Sequence, residues 1–372
     1  MPKKKKVCFV VSSLVNEGPV KVMLNIIKYI DYSRFEISVV TLKEEGSESL
    51  ISDFEDLPIR IVKLNIKSKI SNIPLLFLRL RSVLKSINPD IVHSHCPRSL
   101  FLVSIINGEF KKYHTVHNFP GQVDRALYGN VKGTIVENIM KFTLKRIDKP
   151  ISCGHNLQGL MQEKLRIPTI AINNGVDFEV FVNSDDKRLK MKESLGLLGS
   201  RKCFVFVGRF SKEKNPLFLV DAFSSGELKD FDLLMVGDGP LLAEAKNRAS
   251  SNIKIVGFRR NVRDYLIASD FFVSSSITEG MPNSVLEAMS VGLPLLLSDI
   301  PPHREIFSYN SNDIPLGFLY QENSIKDFEQ KLKLLVEHAG DPEFSDVVAG
   351  CFDRCFTARR MSLKYQKAYT AS

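Results

Sequence analysis

Two glutamates eight positions apart, Glu279 and Glu287, are residues in this 372-residue chain whose type and spacing suggest chemistry. Both lie in the stretch Ser274-Ser-Ser-Ile-Thr-Glu-Gly-Met-Pro-Asn-Ser-Val-Leu-Glu-Ala-Met-Ser290. A carboxylate in a loop accepts hydrogen bonds, and its two oxygens can take a vicinal diol. The first amides of a following helix favour an anion close by. Two carboxylates beside an anion subsite would repel a bare phosphate, yet they suit a molecule carrying both phosphate and many hydroxyls. A nucleotide sugar is such a molecule. On spacing alone a plainer reading stays open: Glu287 as a solvated helix residue and Glu279 as a first-turn charge complementing the helix dipole.

A second group is basic. In Gly208-Arg209-Phe-Ser-Lys-Glu-Lys214-Asn215, Arg209 offers a forked, bidentate grip on phosphate and Lys214 a movable point charge. With helix N-terminal amides they could bind a diphosphate without a metal. As isolated residues they are solvated loop charges. A third group is imidazole: His93 and His95 share one face of a strand, and His117 ends the next one. Two histidines at that spacing could begin a zinc site, but no third ligand lies near. The sole D-x-D match in the sequence, Asp230-Phe-Asp232, opens a strand and is not placed like a metal site.

These residues need elements to hold them. Phe271–Val273 and Leu295–Leu297 read as buried strands, and Asn283 or Ser284 as the N-cap of a helix with Val285, Leu286, Ala288 and Met289 on its apolar face. Earlier, Val7–Val11, Ile37–Thr41, Ile59–Leu64, Ile91–His93 and His114–Val116 are short apolar or β-branched runs. Helical patterns lie between them, over Val20–Ile30, Leu75–Ile87 and Val131–Ile147. Cys203–Val207 and Asp232–Val236 continue the pattern. Alternation of this kind predicts an α/β protein with parallel sheets covered on both faces, and ligands outside the carboxyl ends of the strands. At the first such end, Gly18-Pro19 is either a close backbone approach to a ligand or a helix entry with proline in its favoured first-turn position.

The length suits two domains rather than one. The composition, 44% hydrophobic and 25% charged, is that of a globular protein without repeats. Six scattered cysteines, without a C-x-x-C, predict a reducing location with free thiols. Lys3–Lys6 precede an apolar run too short for a secretory signal, and no run of about 20 apolar residues exists to span a bilayer. The expected location is therefore cytoplasmic. Charge is uneven: residues 1–180 hold 26 Lys+Arg against 17 Asp+Glu, and the remainder 25 of each. Nucleic acid is not expected as a partner, because no aromatic-basic interleaving or nucleic-acid motif accompanies the charge. An anionic membrane surface fits better, with peripheral contact at its inner face, and Leu75–Ile87 interleaves Arg79, Arg81 and Lys85 with apolar residues. A solvated basic surface and a helix packed by its core face compete with that reading.

The segment EGMPNSVLEAMSVGLPLL, beginning at Glu279, resembles the signature of glycosyltransferase family 4, the retaining, nucleotide-sugar-dependent enzymes of GT-B fold. Further segments are similar in the right order: Asp90-Ile-Val-His-Ser-His95, Thr115-Val-His-Asn118, Asn174-Gly-Val-Asp177, Val236-Gly-Asp-Gly-Pro240 and the region ending at Phe258. The resemblance implies two Rossmann-like domains facing across a cleft. Residues 1–180 would bind the acceptor and 181–355 the donor, and 356–372 would form a helix returning to the first domain. It places His117, Glu279, Arg209 and Lys214 in catalysis, with His117 close to the transferred sugar and Arg209 and Lys214 on the diphosphate. Donor contacts fall on Glu279, Gly280, Met281, Pro282, Asn283 and Glu287, and on Gly237 and Phe258. Gly18 joins them, although the family's usual glycine pair is here Gly18-Pro19, which removes one amide donor. The implied donor is a nucleotide sugar, with UDP the expected nucleotide. The implied acceptor is a glycan or a lipid-linked saccharide in cell-surface polysaccharide assembly. No metal or other cofactor is expected. An epimerase of GT-B fold and a non-catalytic nucleotide-sugar-binding scaffold are the alternatives.

Overall fold

The computed structural model describes residues 3–67, 69–121, 125, 129–177, 185–197, 201–338 and 342–371. The chain divides into two compact units, Met1–Asp177 with Ala358–Ser372, and Phe178–Thr357. The expected boundary between residues 180 and 181 falls in 178–184, outside the described residues. The second crossing lies at Thr357/Ala358.

The first unit is built on seven strands: β1 (Lys5–Val11), β2 (Phe35–Thr41), β3 (Arg60–Lys63), β4 (Ile91–Ser94), β5 (Lys111–Val116), β6 (Lys149–Ser152) and β7 (Ile170–Ala171). Their order is β3-β2-β1-β4-β5-β6-β7, and every pairing is parallel. Val7 to Val11 are buried without a break, as a strand covered on both faces demands. The helix Gly18–Lys28 starts two residues earlier than the apolar pattern predicts. Its first turn takes in Pro19, whose missing N–H costs nothing there. The last helix, Ala358–Thr370, packs Met361, Tyr365 and Tyr369 into the core formed by Phe9, Ile26, Phe35 and Ile91. The helix Ile73–Ile87 turns Leu76, Leu80, Leu84 and Ile87 inward, so the core-face reading accounts for most of its apolar residues.

The second unit repeats the plan with six strands: β8 (Cys203–Val207), β9 (Asp232–Val236), β10 (Ile253–Gly257), β11 (Phe271–Ser274), β12 (Leu295–Ser298) and β13 (Gly317–Tyr320). The order is β10-β9-β8-β11-β12-β13, again all parallel. Phe204, Phe223, Phe271 and Phe328 form the centre of its core. The strand order reverses direction at β1/β4 in one unit and at β8/β11 in the other. A crevice opens at such a switch point, outside the carboxyl ends, and ligands bind there. In the second unit the loops leaving those two strands carry Lys214 and Glu279.

Among the described residues, no helix is long and apolar enough to cross a membrane. None of the six cysteines, all among the described residues, is in a disulfide.

Candidate active site

The tips of β8, β9 and β10 each end in glycine, and the three are tied together. Gly208 N–H donates to Val236 O at 3.0 Å, and Gly237 N–H donates to Gly257 O at 2.9 Å. Gly237 has φ +146°, and a Cβ there would stand 1.8 Å from the Gly208 carbonyl. Only glycine fits, so this end of the sheet presents bare backbone. Asp238 acts as a turn residue, its Oδ1 accepting from Gly239 N–H at 2.6 Å. Phe258 follows Gly257 half-buried beside this floor.

The chain leaving β8 turns tightly through Ser211–Asn215. Asn215 takes φ +49°, a conformation asparagine tolerates, and Pro216 then opens the helix Pro216–Ser224. Ser275 Oγ donates to the Lys214 and Asn215 carbonyls at 3.0 and 2.8 Å, which fixes this turn to the end of β11. Ile277 N–H adds a bond to Glu213 O at 2.8 Å. The result brings Lys214 Nζ onto Glu279 Oε1 as an ion pair, with side chains 22% and 9% exposed. Ser276 Oγ donates to the same Glu279 oxygen at 2.8 Å. A carboxylate held this way has its orientation set, and its second oxygen remains available as an acceptor. Arg209 sits exposed on the same loop.

Glu287 is 5% exposed, which overturns its reading as a solvated helix residue. It lies in the helix Asn283–Ser290, whose N-cap is Pro282 rather than Asn283 or Ser284. Pro282 is extended (φ −76°, ψ 106°), and its ring suits that backbone, so the helix begins one residue later, at Asn283 itself. Gly280, Met281 and Pro282 are buried, so the Met281 and Pro282 side chains build the loop from beneath.

One participant escaped the sequence reading. His303, in the first turn of the helix Pro301–Ser308, is fully buried and close enough to Glu279 and Lys214 to feel both charges. Its Nδ1–H donates to Ser298 O at 2.7 Å, which fixes the tautomer and leaves Nε2 unprotonated. Ser298 Oγ donates to Ser276 O at 2.5 Å, linking this ring to the serine that holds Glu279. Burial pushes the His303 pKa down to about 4; the Ser298 hydrogen bond and Glu279 oppose that, and Lys214 reinforces it. No spacing rule marks a histidine in this position.

In the first unit the expected residues also gather at strand ends. His93 is fully buried, with Nδ1 2.6 Å from Tyr369 Oη and Nε2 3.0 Å from Thr115 Oγ1. Both nitrogens are therefore engaged, and the ring fastens the last helix to the sheet. His95 Nδ1 and His117 Nε2 share a hydrogen bond at 3.3 Å. Burial lowers the His117 pKa to about 4, so the half-buried ring is neutral near pH 7. A neutral imidazole positioned by a second histidine is suited to hydrogen-bond a sugar hydroxyl. Gly18 is the first residue of its helix, with Glu17 O accepting from Val20 and Lys21 N–H at 3.1 and 3.0 Å. The helix-entry role is what its geometry displays. Asp232 of the D-x-D match pairs with Arg201 at 3.6 Å.

Two Rossmann-like domains, each on an all-parallel sheet, with the Lys214–Glu279 pair at the switch point of the second, have the architecture of the GT-B class of glycosyltransferase. Residues 17–180 match Glycosyltransferase Family 4, and residues 201–338 match Glycosyl transferases group 1. The two matches fall one on each unit, and the chain belongs to glycosyltransferase family 4. It is 29% identical over 335 residues to the UDP-Gal:alpha-D-GlcNAc-diphosphoundecaprenol alpha-1,3-galactosyltransferase of Escherichia coli, covering 84% of this chain and 82% of that protein. It is 27% identical to the capsular polysaccharide biosynthesis glycosyltransferase CapH of Staphylococcus aureus, over 74% of this chain and 76% of that one. Among solved structures, that of Anabaena HepE in complex with UDP and glucose superposes with a TM-score of 0.81 at 14% identity, covering 99% of this chain and 100% of that one. Family membership favours the transferase over the epimerase and scaffold alternatives.

Proposed function

We propose that this enzyme transfers a hexose, with retention, from a UDP-sugar to a lipid-linked saccharide acceptor in the assembly of a cell-surface polysaccharide. The observation that carries it is the Lys214–Glu279 pair at the β8/β11 switch point, beside a floor of glycine backbone. The relatives support the substrate classes, since the Escherichia coli protein's name states a UDP-galactose donor and a diphosphoundecaprenol-linked acceptor.

Glycosyl transfer passes through an oxocarbenium-like state while the diphosphate departs. Charge grows most on the leaving oxygens, so cations aimed there stabilise the transition state more than the ground state. Arg209 and Lys214 take that role. Glu279 accepts from sugar hydroxyls, and Glu287 contributes from the helix behind it. Gly237, Phe258 and the loop Gly280–Asn283 shape the donor site. His117 supplies a neutral imidazole for a sugar hydroxyl. Two cations on the diphosphate replace a divalent metal, so binding and transfer proceed without one. The location is cytoplasmic, with peripheral contact at the anionic inner membrane face where a lipid-linked acceptor is presented.

Incubation with a panel of nucleotide sugars, with and without lipid-diphosphate saccharides, tests this. Product that forms only with both substrates, and keeps the donor's anomeric configuration, is the expected result. An epimerised nucleotide sugar without acceptor, or binding without turnover, would overturn it.

A further inference from the structure

The helix Asn130–Leu144 buries Gly133, Thr143 and Leu144 on one side and leaves Val131, Ile135, Ile139 and Phe142 between 49% and 76% exposed. Steps of four, four and three residues put those four side chains on a single face, opposite the buried one. Lys132 stands on one flank of this stripe and Lys145 on the other, both exposed. At its end the Arg146 guanidinium lies over the Phe142 ring, 3.6 Å from its centre. The one acidic residue within the helix, Glu137, is already paired with Arg125. An apolar stripe this long is unusual on a surface that faces only water.

We infer that this face is the membrane-docking surface, lying in the headgroup region of an anionic bilayer with its four apolar side chains dipped toward the acyl chains. The basic rim decides the occupant. Lys132, Lys145 and Arg146 would meet lipid phosphates, whereas a second copy of the chain would bring like-charged rims together. The whole of the chain's net +9 charge lies in residues 1–180, the part of the sequence that contains this helix. The Ile73–Ile87 helix is the poorer surface, since its inward-facing leucines leave only Leu75 and Leu78 exposed among its large apolar residues. The assignment rests on the proposed lipid-linked acceptor, which such a surface would bring within reach.

The test is vesicle co-sedimentation of the full chain with phosphatidylglycerol and with phosphatidylcholine, comparing wild type with I135E/I139E and L75E/L78E. Each variant is also assayed for transfer to a short-chain acceptor in detergent-free solution. Wild type is expected on phosphatidylglycerol vesicles and to be released by salt, with I135E/I139E bound about tenfold more weakly and L75E/L78E nearly unchanged. Transfer to the short-chain acceptor stays at the wild-type level in both variants. Undiminished vesicle binding by I135E/I139E overturns the assignment, as does wild-type protein that ignores both lipids. A dimer that I135E/I139E converts to monomer, with no change in vesicle binding, would assign the face to a second copy instead. Absence of transfer in every protein, with vesicle binding as described, would fault the transferase reading while leaving the docking surface in place.

Discussion

Lys214 and Glu279 lie 65 residues apart in sequence and meet as an ion pair at the switch point of the second sheet. Lys214 emerges after β8 and Glu279 after β11, and those strands are hydrogen-bonded neighbours. The pair therefore joins the residue assigned to the diphosphate to the residue assigned to the sugar. On the proposed assignment, both halves of the donor would be addressed from one point.

Removing either cation isolates its part in bond breaking. Lys214→Ala and Arg209→Ala are each expected to raise the transfer barrier by ~2–4 kcal/mol, the scale of losing one transition-state charge stabiliser. Arg209 is exposed, so its loss leaves the melting temperature unchanged. Lys214→Ala abandons a nearly buried carboxylate and costs ~1–2 kcal/mol of stability, which the double variant K214A/E279Q recovers without recovering activity. Steady-state kinetics with thermal melts decide it. Near-wild-type turnover in both single variants would remove the diphosphate role.

Treatment with EDTA is expected to leave transfer within a few-fold of the untreated rate. A complete loss restored by Mg²⁺ would mean that a metal, and not Arg209 and Lys214, carries the diphosphate charge.

Stability should fall in mild acid. Burial lowers the pKa of His114 to about 3 and those of His117 and His303 to about 4, and places His93 and His95 well below the usual range. In the unfolded chain these rings titrate near ~6.5. The unfolded state therefore binds more protons between those values, and stability is full above ~6.5 and lost as pH falls toward 4. Each ring contributes up to ~1.4 kcal/mol per pH unit in that window. Urea denaturation at pH 7 and pH 5 measures the difference. A flat profile would show that the rings protonate in the folded state at little cost.

The last helix is fastened by phenols. Tyr369 Oη reaches His93 Nδ1 at 2.6 Å, and Tyr365 Oη reaches Thr115 Oγ1 at 3.0 Å. Tyr369→Phe should cost ~1 kcal/mol, the net worth of one buried hydrogen bond, and Tyr369→Ala ~3–5 kcal/mol through the cavity it leaves. Chemical denaturation of the two variants is the measurement. Equal, negligible losses would mean the helix is not anchored at this ring.

The sequence alone determined the alternation of strands and helices, the two parallel sheets and the loops that bear the functional residues. Period, Gly/Pro punctuation and unbroken apolar runs are local signals, and a buried parallel strand such as Val7–Val11 leaves little else open. The same signals placed Glu279, Lys214 and His117 at strand ends. Tertiary structure decided what those residues do to one another. Spacing alone left a solvated position open for Glu287, and the residue is buried, because exposure depends on what covers that helix face. The Lys214–Glu279 pair depends on β8 and β11 being neighbours, a fact of strand order rather than of spacing. His303 joined the site through Ser298 and Ser276, residues with no motif of their own. The exposed face of Asn130–Leu144 carries the same helical period as a core face, and only the packed structure shows that nothing among the described residues buries it. Periodicity reports that a helix has an apolar side; which side meets the core is settled by the sheet it packs against.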